Sequence, residues 1–429
     1  MSTHDNNQEY GTGGRNATYI LVICTLLYMV NFMDRQVLSA VLQPMKIELG
    51  LTDAQCGLVQ TVFILGVALF TFPVSYLMDR WNRKKPMAIM AILWSVFTYV
   101  TGLATSFISL IIPRALVGVG EAGFSSGGTA MISGAYPKEK RGRVLGIFTV
   151  AVPLGAVIGT IAGGMLSAKF GWRMPFFLFA IPGVILGIMA LFMRDYKVEE
   201  STVSQNSRKD IGSSFVTLLR IPTLQWLYLG LGLSTIMINT FLSWMPALIM
   251  RVLNVNESTA GLIVGGMGLM ALIGAPLGGW LTDLWHKHNP RGRVYLPGIA
   301  LASAAVVLIA AIMTGFNTLG IVLGMLYGIL NVMAVPAFGA ISQDVVPAAH
   351  KGFSFGLAVF FQYMLGGAWG PWVVGIMSDA LGGGASGLST AITSATAFGI
   401  IGGACFFIAS RHYVSDVEKA GLDKLVTSN

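Results

Sequence analysis

Stretches of roughly twenty apolar residues, the length a helix needs to cross a bilayer, recur about twelve times along this chain of 429 residues. They lie near 18–43, 54–78, 86–106, 109–134, 143–168, 174–193, 223–250, 259–282, 294–314, 318–342, 353–378 and 390–410. Inside lipid a span must satisfy its own backbone amides and carbonyls, so runs of this length and number commit the chain to helices. The expected fold class is an all-α membrane protein with twelve transmembrane helices. Charged residues make up 11% of the chain, against about 25% in an ordinary soluble domain. That scarcity makes each charge inside a span informative.

Four such charges stand out. The segment RALVGVGEAGFSSGG, residues 114–128, places Arg114, Gly118 and Glu121 on one helix face at i, i+4 and i+7. A charge at bilayer depth costs roughly 3 kcal/mol or more, so it normally faces a bundle interior or a water-filled cavity. The small residues of this stretch strip bulk from the helix and let a neighbouring backbone approach closely. In the first span, NFMDRQVLS carries Asp34 and Arg35, and apolar VLSAVLQP continues beyond them for more than a turn. The pair therefore belongs to the interior rather than to the interface. Asp34 and Glu121 are the acids within spans and the candidates for carrying a proton. Arg35 and Arg114 balance them, and protonating one acid leaves one positive charge for an anionic substrate, with Arg114 favoured over Arg35 as its contact.

The net charge of +8 points to topology rather than to nucleic acid. With the N-terminus in the cytoplasm, 21 of the 27 Lys and Arg fall in cytoplasmic segments, including RWNRKK (80–85), KEKRGR (138–143), RKD (208–210) and HKHNPRGR (286–293). Only Lys46, Lys169, Arg173 and Arg251 fall outside. The opening residues lack a basic n-region and a cleavage site, so the first span is expected to be retained. The expected organisation is a cytoplasmic tail at 1–17, an N-terminal six-helix bundle at 18–194, a cytoplasmic linker at 195–222, a C-terminal bundle at 223–411 and a tail at 412–429. Cys24, Cys56 and Cys405 are too scattered for a disulfide framework. All five histidines fall in cytoplasmic segments, so neither a metal site nor a hydrolytic triad is expected at depth, and no cofactor is implied.

The chain repeats itself. Pro137, Gly142 and Gly146 match Pro347, Gly352 and Gly356, and Gly155, Gly159 and Gly164 match Gly366, Gly370 and Gly375 after a one-residue shift. Asp79 and Asp283 occupy corresponding turns. Two related six-span halves are the signature of a transporter with its site at their interface. The second half has no charge within a span, and its candidate substrate contacts are Asn239, Ser243, Trp244, Asn331, Gln362 and Tyr363. Asp79, Arg80, Arg83, Arg143 and Asp283, at the cytoplasmic turns, are candidates for a breakable gating latch.

The turn SYLMDRWNRKK (75–85) and the fifth-span GAVIGTIAGG (155–164) resemble those of the major facilitator superfamily over essentially the whole chain. Ser75 replaces the usual opening glycine of the turn, and Thr160 stands where exporters often have proline, which speaks against a drug exporter. NFMDRQVLSAVL, RALVGVGEAGFS and PKEKRGRVLGIF resemble the spinster-like branch and, less closely, the organic-anion:proton symporters. That resemblance implies the major facilitator fold, roles in proton coupling and gating for Asp34 and Glu121, and a monomer in a bacterial inner membrane. The expected function is proton-coupled secondary transport of a small carboxylate-type organic anion by alternating access, not an enzymatic reaction. The alternatives are a lipid-like or amphipathic substrate and, in another class, a sensor that no longer transports. The expected partners are the anion, protons and membrane lipids.

Overall fold

The computed structural model describes residues 13–80, 83–194, 211–347 and 350–426. The first half comprises α1 (Arg15–Leu49), α2 (Asp53–Arg80), α3 (Lys84–Gly102), a fourth span divided into α4 (Phe107–Glu121) and α5 (Phe124–Ala135), α6 (Lys138–Phe170) and α7 (Met174–Ala190). A short helix, α8 (Ile211–Leu219), precedes the second half. There follow α9 (Pro222–Leu253), an eighth span divided into α10 (Glu257–Leu269) and α11 (Ala271–His288), and α12 (Gly292–Met313). The tenth span comprises α13 (Thr318–Met333) and α14 (Val335–Asp344). The eleventh comprises α15 (Lys351–Gln362), a π-helical turn (Tyr363–Gly367) and α16 (Gly370–Ala380), and α17 (Gly384–Val426) completes the fold. Ten of the described spans are individually long and apolar enough to cross a membrane. With α3 and α7 they make twelve crossings in two six-helix halves. We call the end of the bundle where α1 begins the terminal face and the other end the far face.

Local sequence sets several far-face helix starts. Ser106 and Ser109 form a reciprocal capping box on α4. Asn256 and Asn317 accept the first free amides of α10 and α13 from Thr259 and Gly320.

The sequence repeat has a physical counterpart. A Cβ on Gly155 or Gly159 of α6 would lie 2.3 or 2.4 Å from the carbonyl oxygens of Met29 and Met33 on α1. Their partners in the second half meet α9: a Cβ on Gly366 would lie as close to the carbonyl oxygen of Gly232, and one on Gly370 would lie 3.1 Å from that of Ile236. The third pair works between halves, where Gly164 meets the carbonyl of Glu257 at the start of the eighth span and Gly375 meets that of Asp53 at the start of the second. Small residues at these places let backbones touch, which is how helices associate where lipid gives little hydrophobic drive.

The apolar core is asymmetric along the membrane normal. One cluster fills the second half and runs into the far end of the first, through Val37, Val41, Met45, Cys56 and Leu110. A separate cluster, built on Ile20, Trp94, Phe124 and Phe148, fills the first half toward the terminal face. At the terminal face Gly142, Gly146, Gly352 and Gly356 have open space before them. The close backbone contacts between the halves, at Gly164 and Gly375, lie toward the far face.

Candidate functional site

α1 and the fourth span meet inside the first half through two ion pairs that cross. Arg35 Nε on α1 donates to Glu121 Oε2 on α4 at 2.7 Å. Arg114 Nη1 on α4 lies 3.6 Å from Asp34 Oδ1 on α1, an ion pair too long to be a hydrogen bond. Glu121 therefore holds the arginine of the other helix and not Arg114, its neighbour on the same helix face. Thr98 on α3 donates to Asp34 Oδ2 at 2.7 Å, and the carboxyls of Asp34 and Glu121 adjoin. Two carboxyls and two guanidiniums make one neutral set.

The fourth span breaks beside this set. α4 ends at Glu121, Gly123 takes a left-handed conformation with φ 76°, and α5 resumes at Phe124. Glu121 thus sits at the negative end of the α4 dipole, where a cation such as Arg35 is favoured. Gly118 admits the carbonyl of Phe63 from α2, and Gly120 sits against Trp94 of α3. Another helix does pack on this face, as the small residues imply, and α2 supplies it. The same α2 brings the ring of Phe63 within 4.9 Å of the Arg114 guanidinium and 5.4 Å of that of Arg35, which also lies 4.7 Å from the Phe32 ring. Phe63 is one of 24 phenylalanines, and no motif marks it. Only its position three residues from a polar Gln60, also buried, sets it apart.

Burial separates the two arginines. The Arg114 side chain has no exposed surface, whereas that of Arg35 is 19% exposed. Arg114, the arginine the sequence favours for an anion, is the enclosed one, and Arg35 is the one with exposed surface. Among the described residues, the three nitrogens of Arg114, both polar atoms of Asn31, Asp34 Oδ1 and Glu121 Oε1 are buried without a hydrogen-bond partner. Groups so placed are high-energy and ready to respond when a proton or an anion arrives.

The second half contributes neutral groups. Tyr363, in the π-helical turn, interacts electrostatically with Arg35 and Tyr28 across the interface. Asn239 Nδ2 donates to the Gly367 carbonyl at 2.7 Å and Trp244 Nε1 to that of Pro371 at 2.9 Å. Thr61 of the first half donates to the Ala368 carbonyl at 2.7 Å. Side chains thus satisfy carbonyls in and just beyond the π turn, and such turns recur at functional sites. Trp244 is fully buried and supports this backbone. Ser243 is buried, and Gln362 and Asn331 are partly exposed, with Asn331 Oδ1 unsatisfied.

The side chains of Asp79 and Arg80 lie outside the described residues. Arg143 is exposed, and Asp283 lies 3.9 Å from Arg293 within its own half. Arg293 binds Asp344 more closely, at 2.6 Å, and Tyr413 donates to the same carboxylate at 2.7 Å. Among the described residues, a charged cluster joins the halves at the far face. Asp53, at the start of α2, accepts from Arg251 at the end of α9 through both oxygens, at 2.6 and 2.8 Å. Lys46 and Ser378 add contacts of 2.6 and 2.7 Å, and Gln43 binds Arg251 at 2.8 Å. In return, Asp379 accepts the α2 amides of Asp53 and Ala54 at 3.0 and 2.7 Å.

Two six-helix halves clasped at one face, with a buried charge set beside the break in the fourth span, define a multi-pass membrane transporter. The model of the Major Facilitator Superfamily matches residues 24–371 and 227–422, and the chain belongs to that family, whose solved neighbours are transporters and not enzymes. It is 25% identical to an MFS-type efflux pump of Mycolicibacterium smegmatis over 94% of this chain and 95% of that one. It is 26% identical to the hexuronate transporter of Bacillus subtilis over 85% of this chain and 88% of that one. A crystal structure of a bacterial homolog to the human lysosomal transporter spinster, inward-facing and unoccupied, superposes with a TM-score of 0.84 at 26% identity, covering 94% of this chain and 99% of that one. The resemblance to the spinster-like branch seen in the sequence is matched by the structure.

Proposed function

We propose that this transporter moves a small carboxylate-type organic anion together with protons, by alternating access. The observation that carries this reading is the crossed pairing of Arg35 with Glu121 and Arg114 with Asp34. Two adjoining carboxylates in a dry interior repel one another, and one shared proton relieves the repulsion. That proton leaves the set one positive charge in excess. Arg35, the partly exposed member, loosens from a protonated Glu121 and receives the anion, while Arg114 stays enclosed as a fixed counter-charge. The anion restores neutrality, so the loaded set tolerates the rocking motion and the half-loaded set does not. Tyr363, Gln362 and Asn331 face it with neutral hydrogen-bonding groups, and Asn239 and Trp244 hold the backbone beneath them. A hexuronate carries such a carboxylate, and the similarity to a hexuronate transporter supports the same class here.

The Lys and Arg distribution supports placing the terminal face, both termini and the linker in the cytoplasm of a bacterial inner membrane. A second substrate class, lipid-like or amphipathic, is favoured by the ring stacks of Tyr28 on Phe148 at 4.6 Å and Tyr228 on Phe361 at 4.9 Å, and by the similarity to a spinster homolog. The test is uptake by proteoliposomes under an imposed pH gradient, comparing sugar acids, simple carboxylates and lysolipids. Accumulation of a carboxylate that fails without the gradient supports the reading. Gradient-independent movement of lysolipid alone replaces it with the second, and no uptake of any kind favours a sensor.

A further inference from the structure

Lys46 and Arg251 contact one and the same oxygen, Asp53 Oδ1, each at 2.6 Å. Their nitrogens are therefore no more than about 5 Å apart, a separation at which like charges repel appreciably even at a protein surface. The two cations differ in where they belong. Lys46 is on α1 and Asp53 on α2, both in the first half, whereas Arg251 is on α9 in the second. Any motion that opens the far face carries Arg251 away and leaves Lys46 beside Asp53.

We propose that these two cations act on the far-face closure in opposite directions, Arg251 as the lock and Lys46 as its release. In the closed state Asp53 is fully buried and Arg251 grips both its oxygens, with Ser378 on the second. Breaking this grip with nothing in reserve leaves an uncompensated carboxylate, the costly way to part a buried pair. Lys46 removes that cost, because it remains as the counter-ion when Arg251 departs. It also taxes the closed state, because its ammonium and the guanidinium crowd one oxygen. Both effects favour opening. The clasp holds closed through its other limbs, above all Asp379 on the first amides of α2, a carboxylate at a helix N-terminus.

The test measures the distance between spin labels at Thr105→Cys and Thr318→Cys, exposed far-face positions in the first and second halves. The three native cysteines are buried. The background is Asp379→Asn, which weakens one limb so that short and long distances coexist; should the long one stay undetected, Thr61→Val is added. In that background Arg251→Gln is expected to raise the long-to-short ratio about tenfold, and Lys46→Gln to lower it about threefold. Lys46→Arg, which keeps the charge, is expected to leave the ratio unchanged. Should Lys46→Gln not fold, Lys46→Met removes the same charge while keeping the stem. A rise in the ratio on neutralising Lys46, no change, or an equal fall with Lys46→Arg overturns the proposal. The measurement needs neither substrate nor a pH gradient, so its failure leaves the anion and proton reading standing, and the converse holds.

Discussion

Arg35 and Glu121 meet at 2.7 Å across two helices, although Glu121 has Arg114 two turns back on its own helix face. The exchange of partners ties α1 to α4 twice over and leaves the partly exposed arginine on the carboxyl that lies beside Asp34. A proton arriving at this pair therefore changes what Arg35 can bind.

The first prediction concerns that proton. Glu121→Gln keeps the size and hydrogen-bonding capacity of the side chain and removes its titration. Gradient-driven accumulation in proteoliposomes is expected to vanish, while exchange of substrate for substrate persists. Asp34→Asn is expected to share the defect, because its carboxyl adjoins that of Glu121. Full accumulation by the Glu121→Gln, Asp34→Asn double variant would refute proton coupling through this set.

The second concerns Arg114, enclosed with Asp34 as its ion-pair partner and the ring of Phe63 near its guanidinium. Removing one member of a buried pair strands the other, at about 3 kcal/mol or more. Arg114→Met alone is expected to lower the thermal unfolding temperature in detergent sharply. Adding Asp34→Asn is expected to recover a good part of the loss, because the stranded carboxylate is gone. Equal or greater loss in the double variant would mean that the two side chains are not energetically coupled.

Much of this architecture was legible before any coordinates. Span length and number gave the helices, and the paired glycines gave the two halves, since Gly155 and Gly366 do the same work against α1 and α9. The four buried charges were legible because charge is rare at depth. Their pairing was not, because helical spacing says which residues share a face but not which neighbour that face meets. Glu121 and Arg114 share a face and bind elsewhere. The far-face clasp was hidden for a different reason. Its members come from α1, α2, α9 and α16, and charges at span ends read as ordinary interfacial anchors. The π-helical turn at Tyr363 has no sequence signature beyond two glycines and leans on side chains of α9 and α2.

The third prediction separates packing glycines from free ones. Gly159→Leu would drive a side chain into the Met33 carbonyl of α1, and Gly366→Leu would do the same toward the Gly232 carbonyl of α9. Both variants are expected to fold poorly, read as loss of monodisperse protein on size-exclusion chromatography. Gly142→Ala and Gly352→Ala, with open space before them, are expected to elute as the parent does. Normal behaviour of the two leucine variants would show that the repeat glycines are not needed for close approach.

The last prediction concerns orientation, which decides what closed at the far face means for transport. The segments expected on the cytoplasmic side from the sequence carry 21 of the 27 Lys and Arg, and basic residues in short loops stay on that side. A cysteine at Ser204, in the segment between the halves, is expected to resist impermeant thiol reagents in intact cells and to react once the membrane is permeabilised. A cysteine at Thr318, exposed at the far face, is expected to react in intact cells. If both hold, the clasp of Asp53 with Arg251 seals the outside, and the state described here is open to the cytoplasm. The reverse pattern would turn the molecule over, making the clasp an inner closure and reversing the direction from which Arg35 receives its anion.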